Sequence, residues 1–352
     1  MSVTSALGLH RVLEPRGALP QAAERVDADP ALRHPDEIHI AAETLNVDSA
    51  SFRQIEEEQG GDAERIGRRI VELVARHGKL QNPVTGSGGM LLGRVTWIGA
   101  AAAATAERCG VAVGDRVATL VSLTLTPLHL ERVVRVRPEV HQVDVAGNAV
   151  LFTSGTLAKM PADLPERLAL ALFDVAGAAP QVARLAAPGA RVLVLGVGGK
   201  SGLLAAVAAR RRVGPDGTVV GVEPHPGAAA AARALGVCTA VVEANATDPV
   251  ACAMAALAAG ATATVGGFDL VVSCVNVAGA ELAAILATRP RGRVYFFSMA
   301  TAFARAALGA EGVARDIDML IGNGYCEGHA EATLALVRDH PALKAELSRR
   351  FA

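Results

Sequence analysis

The stretch Arg191-Val-Leu-Val-Leu-Gly196-Val-Gly198-Gly199-Lys200-Ser201-Gly202 decides how this 352-residue chain is read. Four apolar, β-favouring residues run into a glycine cluster, and Leu203 to Arg212 then reads as an Ala-rich helix. A buried parallel strand feeds a phosphate-binding turn in this order. The glycines let the backbone bend and approach a pyrophosphate, and the helix N-terminus presents unpaired N–H groups and a partial positive charge. A second strand, Thr218-Val-Val-Gly-Val-Glu223, ends in an acid placed to accept hydrogen bonds from an adenosine ribose. The residues therefore predict a dinucleotide site made of Gly196, Gly198, Gly199, Lys200, Ser201, Gly202 and Glu223, with the Lys200 cation helping to hold the pyrophosphate. The alternative is a glycine-rich turn with no ligand.

Gly199-Lys200-Ser201 also looks like the end of an ATP-type phosphate loop, but that motif needs a glycine where Val194 stands, inside the strand. The third glycine of the dinucleotide fingerprint is displaced: Ser201 occupies its usual place and Gly202 follows, so local helix packing is expected to differ. Glu223 favours NAD over NADP because a carboxylate repels a 2′-phosphate. His225 and Arg233 lie close enough in sequence to weaken that preference.

Length allows two domains, each with a sizeable core. A net charge of −1 offers no field of one sign for nucleic acid or a membrane surface, and at 3% aromatics there is little for base stacking. The five cysteines make neither a CxxC pair nor a disulfide framework and read as core residues. Met1 to Arg16 lacks the apolar core of a signal peptide, and no long uncharged run could span a bilayer, so a soluble cytoplasmic protein is expected.

Residues 1–40 mix short apolar groups with Pro, Gly and charge and read as irregular strands and loops. Ile38 to Ala42 reads as a strand, and Asp62 to His77 as a helix with Ile66, Ile70, Leu73 and Val74 on one face. Asn82-Pro-Val-Thr85-Gly-Ser87-Gly-Gly89 is too glycine-rich for a regular element. Gly93–Ile98 and Val117–Leu123 read as strands around the turn Val113-Gly-Asp-Arg116. From about Leu157, Ala/Leu helices alternate with β-rich segments at Val192–Leu195, Val219–Val222, Ala240–Val242, Leu270–Val275 and Val294–Phe297. That alternation argues for an α/β fold, a doubly wound parallel sheet of Rossmann type. After Ala302 the pattern turns helical, closing with a helix over 330–338.

An irregular β-rich half, a Val-Gly-Asp-Arg-Val turn, Lys159-Met-Pro, a dinucleotide fold and a short C-terminal return together resemble the medium-chain dehydrogenase/reductase superfamily. The resemblance implies a GroES-like catalytic domain over 1–155, completed by 305–352. It implies a Rossmann domain over 156–304, an active site in the cleft between them and a homodimer joined by sheet edges, with Val294–Phe297 as the edge strand. Leu45-Asn-Val-Asp-Ser-Ala-Ser-Phe52 and Gly78-Lys-Leu-Gln-Asn-Pro-Val-Thr-Gly-Ser-Gly-Gly-Met90 are more specific. They resemble one branch of that superfamily, the L-erythro-3,5-diaminohexanoate dehydrogenases of lysine fermentation. That resemblance implies oxidation at the carbon bearing the 3-amino group, with loss of ammonia, to 5-amino-3-oxohexanoate.

Many superfamily members hold a catalytic zinc through Cys, His and Cys. Here those positions fall near Asn46, Gly89 and Asp174, which lack the required donors, and the four-cysteine lobe for structural zinc is missing too, so no metal is expected. A zinc cation would also repel the substrate's ammonium groups, by about 4 kcal/mol for like charges ~4 Å apart at an effective dielectric of ~20. Carboxylates would attract them. Glu43, Asp48 and Asp174 are therefore the candidate catalytic acids, with Asp48 first as general base because it sits inside the specific motif. Against this, Asp48 can be read as a cap bonding its own backbone and Glu43 and Asp174 as solvated acids, although the apolar neighbours of Asp174 make an idle buried carboxylate there expensive. Asn46, Ser49, Lys79, Thr85 and Ser87 are candidates for binding the substrate's polar groups. For Ser49, Thr85 and Ser87 the alternative is turn-stabilising hydroxyls, and for Lys79 a solvated cation. Two other functions fit parts of the pattern. One is a zinc-free reductase of quinones or enoyl thioesters, and the other is a nucleotide-binding partner protein without catalysis.

Overall fold

The computed structural model describes residues 6–81, 88–261 and 266–352, with backbone alone at Ser49 and Ala50. It divides into two compact units, Met1–Ala162 and Asp163–Ala352.

The first unit opens with a two-stranded ribbon of β1 (Val12–Glu14) and β2 (Arg25–Val26). Its main sheet is antiparallel throughout, in the order β6 (Leu128–Arg137), β7 (Gln142–Phe152), β3 (Glu37–Asn46), β4 (Met90–Ile98), β5 (Arg116–Thr119) and β8 (Leu157–Lys159). The core gathers Ile38, Ile40 and Leu45 from β3, Leu91 and Val95 from β4, and Val143 and Leu151 from β7. Among the described residues the α-helices α1 (Ser49–Glu58), α2 (Ala63–His77) and α3 (Ala103–Arg108) accompany the sheet. The α2 helix starts where the Asp62 carboxylate accepts the Arg65 N–H and stops at Gly78, whose φ of 69° suits glycine. Between those caps Ile66, Ile70, Leu73 and Val74 are buried, as their spacing predicts.

At the head of β3 the fully buried Glu37 is gripped by Arg11 through two hydrogen bonds of 2.7 and 2.9 Å, and is bonded to His10 and His39. Burial alone would raise its pKa, but these partners hold the carboxyl well below the usual carboxylate range. His10, His34 and Glu37 are the only metal-type donor group that converges among the described residues. Both Glu37 oxygens already serve Arg11.

The second unit carries a six-stranded parallel sheet ordered β11 (Ala240–Val242), β10 (Thr218–Val222), β9 (Arg191–Leu195), β12 (Phe268–Ser273), β13 (Thr288–Phe296), β14 (Asp318–Ile321). This is the doubly wound order in which the chain starts at the centre and reverses direction across the sheet. One face is covered by α8 (Pro249–Ala259), α9 (Glu281–Ala287) and α10 (Phe303–Gly312). Helices α4 (Glu166–Phe173), α5 (Ala178–Leu185), α6 (Lys200–Val213), α11 (His329–Arg338) and α12 (Pro341–Phe351) pack together on the other side, and α7 (Pro226–Ala234) lies beside β11. Among the described residues no single helix is long and apolar enough to cross a membrane.

Two expectations about the second half change. Residues 305–352 belong to the second unit instead of completing the first. β14 pairs with β13, Thr333 donates to the Ala176 carbonyl at 2.7 Å, and Arg338 clamps Asp163 at 2.6 and 2.9 Å. Likewise Val294–Phe297 is no edge. Val294 to Phe296 lie in β13, bonded on both sides, and the edge strands are β11 and β14.

Candidate functional site

The glycine stretch forms the turn its sequence predicts, joining the end of β9 to the start of α6. Gly196 sits at φ 74°, a conformation open to glycine and strained for most other residues. The displaced fingerprint resolves at Gly202. A Cβ there would lie 2.1 Å from the Gly196 carbonyl oxygen, so Gly202 supplies the close helix–turn approach and Ser201 does not. A Cβ on Gly198 would strike Ala228 at 2.6 Å and the Glu223 carboxylate at 2.9 Å. Glu223 is buried at the end of β10, accepting the Gly198 N–H at 3.1 Å and the His225 N–H at 3.3 Å. A carboxylate has about four acceptor sites, so ribose hydroxyls can still be taken. Open glycines, a helix N-terminus and a buried acid at the second strand fit a dinucleotide.

The cations at this turn are arranged differently from the expectation. Lys200 Nζ pairs with Asp174 at 2.6 Å and lies over the Phe351 ring at 5.7 Å. Asp174 is exposed at the C-terminus of α4, so it is the partner of Lys200 and not an idle acid buried among apolar neighbours. Arg350, absent from the sequence reading, donates to the Gly198 carbonyl at 2.7 Å and pairs with Glu346. It lies 152 positions from Gly198, and no local motif marks it.

In the first unit the specific motif forms the end of β3 and the start of α1. Asp48 caps α1, Oδ1 accepting the Ser51 N–H at 3.0 Å. The cap reading therefore holds for one oxygen. Its Oδ2 is buried with no hydrogen-bond partner among the described residues. Asn46 Oδ1 accepts from Gln142 Nε2 at 3.0 Å across the β3–β7 pair, and Gln142 Oε1 is a second buried oxygen without a partner among the described residues. Gly89, at φ 87°, passes against this segment so closely that a Cβ would meet the Asn46 carbonyl oxygen at 2.1 Å and the Asp48 nitrogen at 2.7 Å. Asn46 and Gly89 are thus brought together, one with its amide engaged and the other with no room for a side chain. Gln142 was not legible as a site residue, because only strand register brings it opposite Asn46.

The remaining candidates have other partners. Glu43 sits at a bulge in β3, where Ala42 and Thr44 face the consecutive Gly93 and Leu92. It is bonded to Arg116 at 2.5 Å with Arg94 4.0 Å away, so it is a neutralised ion pair and not a solvated acid. Lys79 is fully buried, donating to the carbonyls of Pro20 at 2.6 Å and Gln21 at 3.3 Å, and burial pushes its pKa down to about 8. It ties residues 20 and 21 to the segment that follows α2. Ser49 opens α1, and Thr85 and Ser87 lie outside the described residues. All five cysteines are free, and burial pushes the Cys274 thiol up to about 12 and those of Cys238 and Cys252 up to about 11. These thiols are poor nucleophiles.

A family model described as the L-erythro-3,5-diaminohexanoate dehydrogenase N-terminal domain matches residues 10–161, which contain the Asp48 cap and the Asn46–Gln142 bond. An Acetoanaerobium sticklandii protein named L-erythro-3,5-diaminohexanoate dehydrogenase is 46% identical over 344 residues, covering 98% of each chain. A protein of the same name from Fusobacterium nucleatum subsp. nucleatum is 47% identical over 337 residues, covering 96% of each. The chain belongs to the L-erythro-3,5-diaminohexanoate dehydrogenase family. Solved structures share the fold of this family member at lower identity. A mycobacterial quinone oxidoreductase superposes with a TM-score of 0.53 at 16% identity, covering 95% of this chain and 87% of that one. Alcohol dehydrogenase TADH from Thermus sp. ATN1 gives 0.50 at 21% identity, covering 89% and 85%. This chain thus shares the fold of those two oxidoreductase structures.

Proposed function

We propose that this chain catalyses the NAD-dependent oxidative deamination of L-erythro-3,5-diaminohexanoate to 5-amino-3-oxohexanoate and ammonia, in lysine fermentation and without a metal. The observation that carries the reading is that two buried acceptors, Asp48 Oδ2 and Gln142 Oε1, have no partner among the described residues. Leaving such oxygens unpaired costs about 1–3 kcal/mol each. An ammonium group brings three donors and no acceptor, so a diamine satisfies what the protein leaves open. A quinone or an enoyl thioester brings acceptors and would not.

Bound at the glycine turn, the nicotinamide dinucleotide supplies the hydride acceptor. The protein's part is to manage protons and charge. The 3-ammonium must lose a proton before hydride can leave C3, and Asp48 Oδ2 takes it, Oδ1 staying on the Ser51 N–H so that the carboxylate keeps its aim. Water then adds to the resulting iminium carbon, with Asp48 moving the proton from oxygen to nitrogen. C–N cleavage releases ammonia and leaves the ketone. Gln142 Oε1 accepts from an ammonium of the substrate.

Zinc does not fit here, since Gly89 has no donor and Asn46 Oδ1 already serves Gln142. Glu223 favours NAD over NADP, and Arg233 does not offset it because that guanidinium serves Glu243 at 2.8 Å and the Val241 carbonyl at 3.1 Å. The free cysteines and the nicotinamide cofactor suit the cytoplasm. A homodimer through the β14 edges is also part of this proposal. Incubating the purified protein with the diamine and NAD should give reduced nicotinamide and ammonia in equal amounts. No turnover with either NAD or NADP refutes the reading.

A further inference from the structure

The sheet edge opposite the glycine turn, where β9, β12 and β13 begin, holds a cavity of about 700 Å³. Four arginines line it, Arg191, Arg289, Arg291 and Arg293, against two aspartates, Asp216 and Asp269. Asp269 is shared: Arg191 reaches it at 3.0 and 3.1 Å and Arg289 at 2.6 Å. That leaves donors on both arginines free, while Arg293 is only loosely near Asp318 at 3.7 Å. Arg291 has no side-chain partner among the described residues.

The backbone that presents these arginines is irregular. Between Thr288 and Arg293, β13 takes five steps while β12 takes two, from Phe268 to Leu270, so an arginine-bearing bulge stands out from the ladder. Arg291 sits in this bulge at φ 58°, a strained conformation for a side-chain-bearing residue, held by its N–H to the Asp316 carbonyl. Folding economy favours glycine there, yet the position carries a cation without a side-chain partner among the described residues. None of this serves the dinucleotide turn, which lies at the other ends of these strands.

We propose that this cavity is a second anion site, built for a small ligand bearing a diphosphate group. Planar, always-charged guanidinium groups bond phosphate oxygens two at a time, and the excess of arginine over aspartate supplies net positive charge in a concave site of ligand size.

Calorimetric titration with inorganic pyrophosphate at low ionic strength tests it, using full-length protein loaded with one equivalent of NADH so that the glycine turn is occupied. One equivalent of pyrophosphate binds. Arg291→Gly weakens binding about tenfold or more, without lowering the unfolding midpoint because glycine accepts the left-handed backbone. Arg293→Gln, outside the strained position, weakens it in the same direction. Absence of binding to the NADH-loaded protein overturns the proposal, as does unchanged affinity in the doubly substituted Arg291→Gly, Arg293→Gln protein.

Discussion

The two oxygens of Asp48 have different surroundings. Oδ1 closes the start of α1 and so fixes the direction of the carboxylate, while Oδ2 is buried without a partner among the described residues. Asn caps a helix about as well as Asp but cannot take a proton. Asp48→Asn should therefore unfold at an unchanged temperature yet lose about 10²–10⁴-fold in kcat. Initial rates of nicotinamide reduction with the diamine check this, and a retained rate would remove Asp48 from the mechanism. Glu223 offers a second test at this scale. Glu223→Ser removes the charge that in the proposed function accepts from the ribose, so kcat/KM should fall with NAD and rise with NADP, measured side by side. If both fall in proportion, Glu223 serves only to hold the Gly198 N–H.

At the scale of elements, Asp269 joins the starts of three strands through its bonds to Arg191 and Arg289. Burial alone would raise its pKa, but those bonds outweigh it and hold the group at about 2 against an ordinary 3.8. A depressed carboxylate contributes stability that is fully present above the ordinary value and is lost as pH falls from 3.8 towards 2. The difference in unfolding free energy between the native protein and Asp269→Asn should be about 2 kcal/mol near neutrality and shrink through that window. Denaturant titrations at several pH values measure it. A pH-independent difference would mean that packing, not charge, is what the substitution removes. The α12 helix shows the same logic of distant tethering: Arg350 and Phe351 bring the end of the chain to the turn that follows β9.

For the whole molecule, assembly is the open quantity. β14 is the exposed end of the parallel sheet and presents Ile321 and Met319 at 61% and 36% exposure. Unpaired strand edges bearing apolar side chains pair with another copy unless blocked, and a lysine is an effective block. Light scattering should give a dimer for the native chain and a monomer for Ile321→Lys. A native chain that is monomeric at micromolar concentration would discard the edge-to-edge dimer.

The sequence by itself determined the dinucleotide turn, the α/β alternation of the second half, the amphipathic face of α2 and the family, because each is written in neighbouring residues. Periodicity, glycine placement and a contiguous motif act over a few positions. Only the tertiary structure decided which charges are free. Glu43, Lys79 and Asp174 read as available groups, yet Arg116, two carbonyls and Lys200 had already taken them from 73, 59 and 26 positions away. Register and packing likewise brought Gln142 to Asn46, Arg350 to Gly198 and residues 305–352 into the second unit. Pairing of polar groups is settled by where the backbone brings distant segments together, and a linear pattern carries no record of that distance.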